Sequence, residues 1–152
     1  MKLTIELVPH TSWYNNLRKK IPRRHWDRLR KRIYREHDYK CGICGVEGGR
    51  LNCHEVWSYN DEEHVQKLEG FIALCDSCHF IKHIGLAGIL ASRNQLDYDE
   101  LIEHFIKVNN CSRDDFDKQL DEASKTWADR SQYNWKIDFG DYTELIEKYA
   151  KA

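Results

Sequence analysis

Long apolar runs are what this sequence lacks. None approaches the roughly 18 consecutive apolar residues of a membrane span, so a transmembrane helix is excluded. The opening segment, MKLTIELVPHTSWY, also has no extended apolar stretch of the signal-peptide kind. No internal repeat, low-complexity tract or linker interrupts the 152 residues, which favours a single domain. Apolar content is modest at 41%, against 32% charged residues, and implies a small core supported by a metal. The expected compartment is the cytoplasm. There the six cysteines stay reduced, and paired C-x-x-C spacing favours metal over disulfide.

Charge of one sign is lacking only in the sum. The formal net charge is −1, yet the stretch from Arg18 to Lys40 carries eleven Lys/Arg against three Asp/Glu. That local balance of +8 leaves −9 for the remainder, much of it after Leu96. A basic block beside an acidic remainder suggests a one-sided polyanion-binding surface, with a merely solvated helix face as the competing reading.

Periodicity places the elements. Residues 2–8 alternate as a short strand. Pro22 suits the first turn of a helix running to about His37, with Trp26, Leu29 and Ile33 as its apolar stripe. On another face of that helix Arg24, Arg28, Lys31 and Arg35 succeed one another at i+3 or i+4. Residues 50–57 form a strand with Leu51, Cys53 and Trp57 on one side and Asn52, His54 and Val56 on the other. A turn follows at Tyr59, Asn60 and Asp61, and residues 71–74 make the return strand. Asp76 or Ser77 caps a helix carrying His79, Phe80, Lys82 and His83. Asp97 or Asp99 starts an acidic helix with Leu101, Ile102, Phe105 and Ile106, and Ser112 with Asp115 forms a capping arrangement before the next. Residues 135–139 form a last strand, and Asp141 caps a final helix through Leu145 and Tyr149.

Two C-x-x-C pairs, Cys41/Cys44 and Cys75/Cys78, have the separation of a two-knuckle zinc site. Four thiolates close a tetrahedral shell, so this zinc is structural and does no chemistry. Cys53 and Cys111 stand alone and read as ordinary buried thiols. Between and beside the cysteine pairs lie His54 and Glu55 on the strand, and His79 and His83 one helical turn apart. Imidazoles and a carboxylate can converge there on a divalent ion with open positions, of the Mg, Mn, Ni or Zn kind. Surface histidines around a purely structural zinc finger are the alternative.

The order C-x-x-C, a strand bearing His54-Glu55, then Leu74-Cys75-x-x-Cys78-His79 and Lys82-His83 resembles the HNH endonucleases. These are the zinc-supported branch of the ββα-metal, or His-Me finger, nucleases. The runs 52–61, 68–75 and 83–87 resemble a bacterial and phage subfamily of them, and residues 13–18 and 135–139 extend the likeness. The resemblance implies a single metal held between a β-hairpin and a helix and contacting the scissile phosphate. His54, His79 and His83 match its ligands, with His83 corresponding to the extra histidine of the colicin-type nucleases. Glu55 stands where the general-base histidine is usual, and Gly70 where the middle asparagine is usual. A one-residue shift would instead make His54 the base and Cys53 a ligand; the spacing Leu51-x-x-His54 favours the first register.

The expected architecture is therefore α+β: a zinc-stabilised ββα-metal core at 41–90, an N-terminal strand and basic helix at 1–40, and a mainly helical extension at 91–152. The expected activity is metal-dependent hydrolysis of phosphodiester bonds in double-stranded DNA, with catalysis by His54, Glu55 and His79. Lys19, Lys20, Arg24, Arg28, Lys31 and Arg35 would meet phosphates. Trp13 and Tyr14 read as core or as stacking platforms, Trp26 as core. No nucleotide cofactor and no membrane partner is expected. The rivals are a zinc module that binds nucleic acid without cutting it, and a regulatory protein whose acidic C-terminal helices bind a protein partner.

Overall fold

Alternation after the first cysteine pair becomes a long hairpin. In the computed structural model, which describes residues 1–13 and 15–150, β1 (Leu51–Asn60) runs antiparallel to β2 (Val65–Cys75). Leu51 pairs with Cys75 and His54 with Ile72, and a bulge falls between Val56 and Trp57. Asn60 tightens the loop by accepting from the backbone N–H groups of Glu62 and Glu63 (3.1 and 3.0 Å). A short β3 (Lys136–Asp138) adds to β2 in parallel, giving the order β1-β2-β3. One edge of β1 is therefore unpaired with any strand among the described residues.

Among the described residues six α-helices complete an α+β architecture. The basic helix α1 (Arg23–Glu36) follows Pro22, whose extended backbone serves as its N-cap. It buries Trp26, Leu29 and Ile33 against Leu68 and Ala73 on one face of the hairpin. On the other face Leu74 joins a second cluster with Ile81, Phe105 and Phe116. Ala73 and Leu74 are consecutive, so the period of two sends them to opposite cores. That second cluster is built by α2 (Asp76–Lys82), α3 (Ile84–Ser92), α4 (Tyr98–Asn109) and α5 (Arg113–Arg130). Asp97 caps α4, and Ser112 with Asp115 forms a reciprocal capping box on α5. The chain closes with α6 (Thr143–Ala150). Among the described residues no helix is long and apolar enough to cross a membrane.

Three expectations are corrected. Residues 2–8 form no strand. Leu3 and Ile5 are buried as the alternation demands, but their partners are side-chain amides. The Leu3 N–H donates to Asn109 Oδ1 (2.9 Å) and its carbonyl accepts from Asn109 Nδ2 (2.8 Å), while the Ile5 N–H donates to Gln119 Oε1 (2.6 Å). Helix α2 is capped not by Asp76 or Ser77 but by Cys75, whose sulfur accepts from the Cys78 N–H (3.4 Å). Asp141 lies inside a 3-10 turn, Gly140–Tyr142, and does not cap α6.

Candidate metal centre

Cys41 and Cys44 sit on a tight knuckle after α1. The Gly45 N–H donates to the Cys41 carbonyl (3.0 Å), and Gly45 itself has a positive φ of 77° that suits a residue without a side chain. The knuckle is pinned to β2 by the Gly42 N–H on the Ala73 carbonyl (2.7 Å). A Cβ on Gly42 would come within 2.7 Å of Ile72, so only glycine fits. Cys75 and Cys78 arrive from the end of β2 and the start of α2.

The four sulfurs lie within 4.8 Å of one another, and Cys44 Sγ is 3.7 Å from Cys75 Sγ. A disulfide would require about 2.05 Å. Tetrahedral zinc with Zn–S bonds of about 2.3 Å has S···S edges of about 3.8 Å. Donor type, number and spacing thus fit a structural metal such as zinc. The neighbouring Cys75 and Cys78 sulfurs lower the Cys41 thiol pKa, while the Cys41 and Cys75 sulfurs raise that of Cys78. His104 on α4 adds a contact that sequence spacing did not signal: its Nε2 lies 3.2 Å from Cys78 Sγ.

His54 from β1 and His79 and His83 from α2 and its C-cap form the second cluster. One ring nitrogen of each lies within 4.8 Å of the other two. The rings meet edge to face, with centroids 5.5 Å (His54–His79), 5.1 Å (His54–His83) and 4.7 Å (His79–His83) apart. Burial, aided by the neighbouring rings, lowers the His54 pKa to about 2, and burial lowers that of His79 to about 4. Burial also lowers His83, against the opposing pull of Glu6. Neutral imidazoles keep the lone pairs that a divalent ion needs, so this donor set fits one as well.

No protein-family model, curated protein or solved structure matches this chain.

Glu55 does not join the imidazoles. It follows His54 on a strand and so points to the opposite face, where its carboxylate accepts from the Leu17 N–H (3.1 Å). Burial raises its pKa to about 7, partly offset by that hydrogen bond. Both faces nevertheless reach one cavity of about 560 Å³, which runs past β1 and is lined by Glu55 and all three histidines. Cys53 shares the Glu55 side and packs in the α1 cluster, its thiol pushed up to about 12 by burial. Cys53 and Cys111 are half-buried.

The six basic residues, Lys19, Lys20, Arg24, Arg28, Lys31 and Arg35, are all exposed, and none lines that cavity. Arg24, Arg28, Lys31 and Arg35 lie on α1, which packs on the sheet face opposite α2, while Lys19 and Lys20 belong to the 3-10 turn before it. Trp26 is core, as expected. Trp13 is not: it is 50% exposed and lines the cavity, while Tyr14 lies outside the described residues. Lys82 was expected only as a helix residue, yet it is buried. Its Nζ donates to Thr4 Oγ1 (3.0 Å) and Glu6 Oε1 (2.9 Å), tying the N-terminal arm beside His83.

Proposed function

We propose that this protein is a metal-dependent endonuclease of the HNH type that hydrolyses phosphodiester bonds in DNA. The observation that carries the reading is the convergence of His54, His79 and His83, one from a hairpin strand and two from the helix that follows it. A cluster of four cysteines at the same strand–helix junction supports it, as the scaffold such a site needs.

In this reading His54, His79 and His83 hold one divalent ion, which when bound supplies positive charge against the phosphate oxygens. Neutral, buried imidazoles from two elements fix where that ion sits. Glu55 takes a proton from the water whose oxygen bonds to phosphorus as one P–O ester bond breaks, and the departing oxygen takes its proton from solvent; burial on the cavity wall makes Glu55 a better base than a solvated glutamate. Lys82 binds Glu6 and Thr4 and so ties the N-terminal arm down beside His83.

Plasmid nicking tests this. Supercoiled DNA should be nicked only with an added divalent metal such as Mg, Mn or Ni. His54→Ala and His79→Ala should abolish cutting, and Glu55→Gln should slow it by about 10²- to 10⁴-fold. The exposed basic face of α1 favours one alternative, a zinc module that binds nucleic acid without cutting. Salt-sensitive DNA binding with no nicking in any of these metals would select it.

A further inference from the structure

The cavity beside β1 holds a polar group that nothing in the fold uses. Gln66 is 0% exposed and lines this cavity. Its Oε1 accepts from the Ser12 hydroxyl (2.7 Å), but its Nε2, with two N–H donors, has no hydrogen-bond partner among the described residues. Buried amides without partners are rare in folded proteins and call for an explanation, here an acceptor on a ligand. At about 560 Å³ the cavity is within the ordinary range of about 300–1,000 Å³ for small-ligand sites.

Charge narrows the class of ligand. Three carboxylates, Glu6, Glu55 and Glu122, line the cavity against two guanidiniums, Arg18 and Arg130. Arg130 is already committed: it holds Asp61 through two bonds (2.8 and 3.0 Å) and covers the Tyr59 ring at 4.2 Å. Away from the histidines, Arg18 is then the one uncommitted cation that this lining, among the described residues, offers a phosphate, whereas a flat, neutral ring bearing hydrogen-bond acceptors needs none. Trp13 on the same cavity offers an indole, half-exposed, for stacking. The three histidines line this cavity too.

We propose that the cavity receives one unpaired nucleobase, read by Gln66 and stacked on Trp13, while the phosphate attached to that nucleotide lies at the histidines. This rests on the nuclease reading and specifies its substrate: a strand with an unpaired or extruded nucleotide at the cleaved position. A base inside a duplex cannot offer itself to an enclosed amide without leaving the stack.

Fluorescence anisotropy on the full, zinc-loaded chain, with no further divalent metal added, decides it. Three labelled DNAs of equal length are compared at one salt concentration: a perfect duplex, a duplex with a one-nucleotide bulge, and a single strand. The bulged and single-stranded DNAs should bind at least about tenfold tighter than the duplex, a gap within the range that one stacked base supplies. Gln66→Leu and Trp13→Ala should each remove most of that gap and leave duplex affinity within about twofold. Because Gln66→Leu also leaves the Ser12 hydroxyl with only the longer contact to the Pro9 carbonyl (3.4 Å), Trp13→Ala decides alone if the first variant does not fold. Equal affinity for all three DNAs, or a gap intact in the folded variants, overturns the proposal. Displacement of the strand by adenosine or cytidine at matching concentration also overturns it, in favour of a free nucleoside. Duplex nicking with equal affinities would leave the nuclease reading standing, whereas binding to no DNA removes both.

Discussion

His54 and Glu55 are neighbours in sequence and opposites in placement, and each consequence follows from which face its side chain took. His54 turns toward α2 and loses its proton to burial; Glu55 turns toward Leu17 and keeps its proton to about pH 7. The Glu55 shift has a sign that can be checked. Its folded pKa lies above the unfolded value of 4.5, so the stability it confers is complete below about 4.5 and is lost as pH rises through about 7. At pH 8 the folded state carries a buried carboxylate that Glu55→Gln does not, and the glutamine carbonyl can still accept from the Leu17 N–H. The variant should therefore be more stable than the parent at pH 8, by at most about 3 kcal/mol, and equal to it near pH 4.5. Urea denaturation at the two pH values, without added divalent metal, measures this; a difference that does not change with pH refutes the burial account. The pair of residue types was legible in the sequence. Their separation onto two faces was legible as well, since alternation requires it, but the expectation that a carboxylate converges with the imidazoles ignored that constraint.

At the scale of elements, a period shows which side of a segment is buried, and not what its backbone pairs with. The stripe Trp26, Leu29, Ile33 and the Ser112–Asp115 box are local features, and both stand where periodicity and capping chemistry put them. Residues 2–8 alternate like a strand, yet alternation reports only that one side is buried. What pairs with the backbone is decided by α4 and α5, about a hundred residues later in the chain. Asn109 satisfies both backbone groups of Leu3, so Asn109→Ala leaves a donor and an acceptor unmatched in a half-buried setting. A loss of about 2 kcal/mol is expected in urea or thermal unfolding, and a loss near zero would mean that water serves the arm equally well. The basic face of α1 makes a different kind of prediction. It lies apart from the cavity, so under the nuclease reading it positions DNA through phosphates alone. Arg28→Ala and Lys31→Ala should each weaken binding to every sequence alike and reduce the slope of log affinity against log salt by about 1. A change in sequence preference with an unchanged slope would place base contacts on α1 instead.

Across the whole molecule, the two clusters of ligands are unequal in what they hold together. The cysteines join two places far apart in the chain: the knuckle after α1 and the junction at which β2 runs directly into α2. Three of them are counted in the core that also contains Phe105 and Phe116. Their spacing announced them; His104, which touches Cys78 from α4, could not be announced because its partner lies 26 residues away on another helix. The histidines join only β1 to α2, across a junction that the cysteines already fix. A hierarchy follows. With a structural metal in the cysteine cluster, the placement of α2 against β1 is set before any ion reaches the imidazoles, and loss of that metal removes both sites. Cobalt, which reports thiolate and imidazole ligation through different visible bands, can order the two. The parent chain should take up two equivalents, the first with thiolate character. His79→Ala should keep the first equivalent and its far-ultraviolet dichroism while losing the second. Cys44→Ala changes no histidine, yet it should lose both. If Cys44→Ala still binds cobalt at the imidazoles, the hairpin and α2 hold one another unaided, and the cysteine cluster stabilises the chain without building the histidine site.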